Sequence, residues 1–204
     1  ENIFKLQDDI SAAIQETIQP GYVSIDASPS STSTKAISAQ AYEWYLMGQY
    51  HWRQRNPTSL SKAVTYFQHS LELEPDYADA HVGIAITYAN LHHFANWSER
   101  KAIDKSLPHI EKALVLKPNS PIALAAKGMI LTLKANYERA FTTGDSTLVE
   151  QAQHSFLRSL ELDDNATTHR WYSKLLKRLG EDSQVIQHMN HAIDLNPLSG
   201  SLKR

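Results

Sequence analysis

Residues 59–80 read SLSKAVTYFQHSLELEPDYADA, with Ala63, Phe67, Ser70 and Pro75 standing four, three and five residues apart. The spacing returns as Ser106, Ile110, Ala113 and Pro118, then as Ala152, Phe156, Ser159 and Asp164, and again as Val185, Met189, Ala192 and Pro197. Each copy closes alike, on LELEP, LVLKP, LELDD and IDLNP. Steps of four and three keep three residues on one face of a helix with about 3.6 residues per turn. Small residues at the first and third places (Val185 is the larger exception) let a neighbouring helix approach, and the bulky apolar residue between them fills the gap. The proline ends the unit, because it cannot continue a helix and restricts the residue before it. New amphipathic runs follow, DYADAHVGIAITYANL after Pro75 and NSPIALAAKGMILTLKAN after Pro118. The pattern predicts an all-α chain of helical hairpins. Such a hairpin cannot bury its apolar face alone, so the copies must stack.

Ile3, Leu6, Ile10, Ile14 and Ile18 form one stripe, which predicts an amphipathic helix over residues 1–19, stopped by Pro20-Gly21. Residues 22–25 suit a short strand or extended segment, and the small, polar run 27–36 reads as a linker. Ser38 caps a first repeat helix reaching Arg55, and Asn56 caps a second over Pro57–Leu73. Asp76 is the expected cap of a helix ending near Leu91, with His92, His93, Phe94 and Trp97 as an aromatic connection. Ser98 opens the next helix, in which Pro108 predicts a kink near Lys105 or a break into two pieces. Ser120-Pro121 repeats the cap-then-proline device, and Thr147 with Glu150 has capping-box spacing for a helix ending near Leu162. Helices over 165–179, with Gly180 at the C-terminal end, and 182–195 complete the series. The expected division is an N-terminal part, 1–37, and a repeat part, 38–204, with units of about 38–75, 76–118, 119–164 and 165–197.

These residues resemble the tetratricopeptide repeat (TPR). Its first helix carries a tryptophan, then leucine-glycine, then an aromatic, and its second carries the alanine, phenylalanine, alanine and proline described above. Trp44 and Gly48 fit the first half, with Met47 in the leucine place and His51 in that of the aromatic. Ile84, Ala85 and Tyr88 fit in the second unit, where His81 replaces the tryptophan; Leu124 and Gly128 fit in the third, and the fourth departs most. Pro75 to Pro118 is 43 residues, Pro118 to Asp164 is 46 and Asp164 to Pro197 is 33. The usual unit is about 34, so longer helices and loops are expected around 91–98 and 136–146. The resemblance implies a right-handed TPR-like α-solenoid of about four helical hairpins over roughly residues 38–199, preceded by the N-terminal helix and linker. In such solenoids the first helix of each hairpin lines a concave binding face. By family geometry Tyr45, Gln49 and Trp52 of the first unit, Val82 and Ile86 of the second, and Ile122 and Met129 of the third form a partner-binding groove. That groove is aromatic and apolar rather than basic, and it lacks the lysine and asparagine with which chaperone-tail-binding members clamp a terminal carboxylate.

The 204 residues, 42% hydrophobic and 21% charged, have an ordinary globular composition and suffice for a sizeable core. A net charge of −2 argues against this segment gripping a phosphate backbone. Arg170, Lys174, Lys177 and Arg178 make a local basic patch, read as a solvated helix face. The absence of cysteine excludes disulfides and thiolate chemistry. No run matches a membrane span, since Lys127 interrupts the best candidate, residues 122–133. The seven glycines form no phosphate loop, and no HExxH or G-x-S-x-G occurs, so neither catalysis nor a cofactor is expected. His188 and His191, three apart on one helix, could share a metal, but no third ligand is in view and no metal is expected. His92-His93 and Asp163-Asp164 are read equally plainly, as loop and helix-end residues. Trp44 and Trp171 have structural places, which leaves Trp52 and Trp97 as the freer candidates for partner contact.

An exposed apolar groove seldom stays empty. The expected occupant is a helix, from a protein or peptide partner or from residues 1–19, and self-association into a homo-oligomer is a further option. A narrower resemblance rests on IFKLQDDISAAI, AYEWYLMGQYHW, HRWYSKLLKRLG and IDLNPLS. These are similar to a C-terminal region shared by bacterial signalling proteins. An effector domain stands in front, often the winged-helix DNA-binding domain of CadC-like transcriptional regulators, sometimes a nucleotide cyclase or a protein kinase. A small TolB-like α/β region usually precedes the repeats there, and residues 1–25 resemble its tail. Starting at Glu1 without methionine, the chain is expected to be a piece of a longer protein. The resemblance implies a non-catalytic sensory scaffold of a transcriptional regulator, making no direct nucleic-acid contact itself. The alternative is the C-terminal region of a nucleotide cyclase-type enzyme. A membrane-anchored CadC-like protein would place the segment in the periplasm, and a cyclase in the cytoplasm.

Overall fold

The computed structural model describes residues 37–138 and 146–197, all within one compact unit, Ile37–Arg204. The expectations for the N-terminal helix, the extended segment and the linker lie outside the described residues. Eight helices follow one another among the described residues, with no strand: α1 (Ala39–Arg53), α2 (Pro57–Leu73), α3 (Ala78–Phe94), α4 (Glu99–Leu116), α5 (Pro121–Tyr137), α6 (Thr147–Leu162), α7 (Ala166–Leu179) and α8 (Asp182–Leu195).

Local chemistry sets most of the boundaries. The side chains of Ser38, Asn56, Ser98, Ser120 and Asn165 each accept a hydrogen bond from the backbone N–H three residues on, at 2.9–3.4 Å. Each bond satisfies a donor that the first turn leaves unpaired, worth about 1 kcal/mol. Gly180 ends α7 at φ 78°, the left-handed region that suits glycine.

Three expectations are corrected. Tyr77, not Asp76, precedes α3, and the helix runs on to Phe94, so His92, His93 and Phe94 are helical. The connection shrinks to four residues, with Asn96 at φ 53°. Ser146 rather than Thr147 is the N-cap of α6. Finally, α4 passes unbroken through Pro108. Pro108 and Asp104, the residue whose carbonyl loses its N–H partner, are both exposed, so water can replace the missing bond.

Consecutive helices pair along the whole series, and the first helices of successive hairpins also touch, α1 on α3, α3 on α5 and α5 on α7. The second helices meet one another marginally at most. An array whose inner row is closer than its outer row curves, with α1, α3, α5 and α7 on the concave side. The bulky residue of each repeat drives the stacking. The Phe67 ring lies between Gly48 of α1 and Gly83 of α3, where an added Cβ would approach it to 2.5 and 2.6 Å. Its full burial stabilises the stack by about 2–3 kcal/mol. Phe156 fills the corresponding place and stacks on Tyr172, centroids 5.4 Å apart. The small third position explains itself too: Ser70 Oγ donates to the Ala41 carbonyl at 2.7 Å and Ser159 Oγ to the Pro121 carbonyl at 2.8 Å. A buried hydroxyl there cross-ties the helices of neighbouring places instead of going unpaired.

Candidate functional site: the inner groove

Because α1 presents residues four and three apart on its inner face, Tyr45, Gln49 and Trp52 fall in one line. They meet Val82 and Ile86 of α3, Ile122 of α5 and Trp171 of α7 around a hollow of about 190 Å³. Met129, the seventh residue of the expected groove, lines a larger hollow of about 560 Å³ beside it, and Trp171 borders both. Val82 and Ile86 are buried floor, whereas Ile122 is 37% exposed.

In the smaller hollow Tyr45, Gln49 and Asp79 are tied down. The Gln49 amide donates to the Tyr45 hydroxyl. Burial, reinforced by the Asp79 carboxylate, pushes the Tyr45 phenol up to about 12, so it stays a neutral donor at any physiological pH. Asp79 is itself paired with Lys117 at 3.0 Å. Trp52 carries the Arg55 guanidinium over its ring, 4.2 Å from the centroid, while its buried indole N–H meets no acceptor among the described residues.

The larger hollow has a different character. Lys174, Lys177 and Arg178 line it together with Trp171, His92, His93 and Glu99. Partial burial, then the nearby Arg170 and Arg55 charges, hold the Lys174 ammonium below its usual range. The reading of this patch as a mere solvated face, and of the groove as wholly apolar, is therefore corrected: the groove is apolar at one end and cationic at the other. Thr167, Trp171, Lys174 and Arg178 follow steps of four, three and four along α7, so the signal was present in the sequence. It was missed because Trp171 was given a purely structural place. Trp97, by contrast, borders neither hollow; it stacks on Tyr88 at 5.6 Å under the Lys101 ammonium.

No family profile matches the chain. It superposes on TTC0263, a thermophilic TPR protein of Thermus thermophilus, with a TM-score of 0.64, over 81% of this chain and 78% of that one, at 14% identity. The fold is a tetratricopeptide-repeat solenoid. In sequence the chain is similar to the transcriptional regulator HilA of Salmonella typhimurium and of Salmonella typhi, 25% identical over 153 residues, or 75% of this chain. The chain spans about a quarter (26%) of the length of those curated relatives. Among the described residues of the TPR array no helix is long and apolar enough to cross a membrane.

The groove offers two kinds of surface. Its apolar end offers ring faces and aliphatic floor, and its cationic end offers donors to a carboxylate.

Proposed function

We propose that this segment is the protein-docking arm of a bacterial transcriptional regulator, holding a partner segment in the inner groove without performing chemistry. The observation that carries the reading is the convergence of α1, α3, α5 and α7 on one concave wall, apolar around Trp52 and Trp171 and cationic around Lys174. A matching partner presents apolar side chains at helical spacing and acidic groups beyond them. The similarity to HilA favours a regulator over the C-terminal region of a cyclase-type enzyme. As part of a membrane-anchored CadC-like regulator the segment lies in the periplasm, and otherwise in the cytoplasm.

A synthetic peptide of residues 1–19 has the required chemistry, an Ile/Leu stripe and four acidic side chains against one lysine, and serves as the probe. Titrated into the full chain, it should protect amides of α1, α3, α5 and α7 from exchange. Trp52→Ala and Lys174→Glu should each weaken it about tenfold or more, since buried aromatics and charged anchors dominate such contacts. Equal affinity for both variants and the unaltered chain would remove the groove from the function.

A further inference from the structure

Away from the groove, at the outer edge of the fourth hairpin, three side chains from two helices and the turn before them converge. The His169 Nε2 of α7 lies 2.6 Å from Asp164 Oδ1, and the His191 Nε2 of α8 lies 2.8 Å from Asp164 Oδ2. The donor atoms of all three fall within 4.8 Å of one another. His169 and His191 border a hollow of about 410 Å³ on which Asn190 and Asp194 also open. We propose that Asp164, His169 and His191 form a binding site for a divalent first-row transition ion of the zinc class.

The donor set suits such an ion. Two neutral imidazoles and one carboxylate are ligands for Zn²⁺, Cu²⁺, Ni²⁺ or Fe²⁺, not for Ca²⁺ or Mg²⁺, which need mostly oxygen. Metal–ligand bonds of about 2.0–2.2 Å in tetrahedral array set donors about 3.3 Å apart. The Asp164–imidazole separations of 2.6 and 2.8 Å open to that spacing by under an ångström, while the widest donor separation, 4.8 Å, closes by about 1.5 Å. Asp164 and His191 have the room to move, with side chains 55% and 45% exposed. His169, at 7% exposure, is the fixed point.

The support behind His169 is also in place. Its Nδ1 lies 2.6 Å from the Nδ1 of His188. Facing a carboxylate, His169 carries its proton on Nε2, so the shared Nδ1 proton belongs to His188. When an ion takes Nε2, that proton leaves to water. The shared proton passes to His169 Nδ1, and His188 takes one from water at its own Nε2. His191, whose Nε2 also faces the carboxylate, gives that proton to water and takes one at Nδ1, so no net proton is released. His188 then accepts from the ligand's far nitrogen, the arrangement that orients metal-bound imidazoles generally. It is a positioning residue. The ion would tie the turn before α7 to α8, the helix with the fewest buried residues in the array. Asp194, on the same helix as His191, lines the hollow and offers a further oxygen.

Calorimetric titration of Zn²⁺ into the full chain should show one equivalent bound at this site, with no comparable uptake of Ca²⁺. His191→Ala, which removes a half-exposed side chain and should leave the fold intact by circular dichroism, should weaken Zn²⁺ more than about 100-fold. His188→Ala should weaken it about 10–100-fold, with recovery in His188→Gln, whose amide oxygen can accept from His169. The His92→Ala, His93→Ala double variant should bind as the unaltered chain does. Absence of Zn²⁺ uptake at micromolar concentration, or undiminished affinity in His191→Ala, would overturn the proposal.

Discussion

The second hairpin, α3–α4, and the fourth, α7–α8, use the same imidazole pair. His81 Nδ1 lies 3.0 Å from His109 Nδ1, and His169 Nδ1 lies 2.6 Å from His188 Nδ1. His109 and His188 each stand just before the bulky repeat position, Ile110 or Met189. What differs is the outer edge. In the second hairpin His81 Nε2 donates to the carbonyl of Pro75 at 3.0 Å, and Lys112, three residues beyond His109, pairs with Asp76 at 2.7 Å. In the fourth, Asp164 replaces the proline and His191 takes the place of the lysine. Two replacements, with a turn one residue shorter before the first histidine, thus turn a packing device that ends in a carbonyl into a cluster that ends in a carboxylate shared by two rings. The histidine pair alone therefore signifies packing; the chemistry comes from what the repeat places beside it.

Restoring the second hairpin's residues to the fourth is the harshest test of that contrast. Asp164→Pro with His191→Lys should abolish Zn²⁺ binding while keeping helix content, as seen by calorimetry and circular dichroism. Retained binding would show that the edge residues are not what distinguishes the two places.

The next effect concerns packing. α3 has ten buried residues and α4 has five, whereas α8 has Ala192 alone. Ile110→Ala, at a fully buried site, should cost about 3 kcal/mol in urea unfolding, and Met189→Ala, half-buried, about 1 kcal/mol. Equal costs would mean that the fourth hairpin is packed as firmly as the second.

A pH effect belongs to the second hairpin. Burial, then the facing His81 and Lys105, pushes the His109 imidazole down to about 4. His81 is lowered mainly by its own burial, with the Lys112 charge adding to it and the Pro75 carbonyl and the Asp76 charge opposing it. The unfolded chain therefore binds more protons than the folded one between about pH 6.5 and 4. Stability should be full above that window and fall as pH drops through it. Thermal unfolding at either end of the window should show this, and His109→Gln should flatten it.

The smallest difference lies in the turns. Both hairpins use a left-handed residue there, Asn96 at φ 53° and Gly180 at φ 78°. Nothing lies within 4 Å of a Cβ added at Gly180. Gly180→Ala should therefore cost about 1 kcal/mol through backbone conformation alone, and Asn96→Gly should change stability by only about a few tenths. A larger loss at Gly180 would point to a contact with the turn.

Much of the fold was legible in the chain because local chemistry states it. Ser38, Asn56, Ser98 and Ser120 act as the caps their types suggest, and Phe67 and Phe156 fill the stack as the four-and-three spacing requires. Asn165, expected as the first residue of its helix, is instead its cap. The misread points are those where two local signals compete. Asp76 and Thr147 looked like caps, yet neither is the residue that precedes its helix. Pro108 looked like a break but sits where water can take over the lost bond. In the groove, six of the seven expected residues share one hollow, while the cationic flank on α7 was passed over as ordinary surface.

By itself the sequence determined the hairpins, their order and the need to stack, because periodicity, caps and prolines act over a few residues. Only the tertiary structure decided which charges share the concave wall with Trp171, and that Asp164 meets both His169 and His191, the latter 27 residues away. Those juxtapositions depend on how one helix rotates against the next, and that rotation is fixed by the packing of the whole array rather than by any one segment.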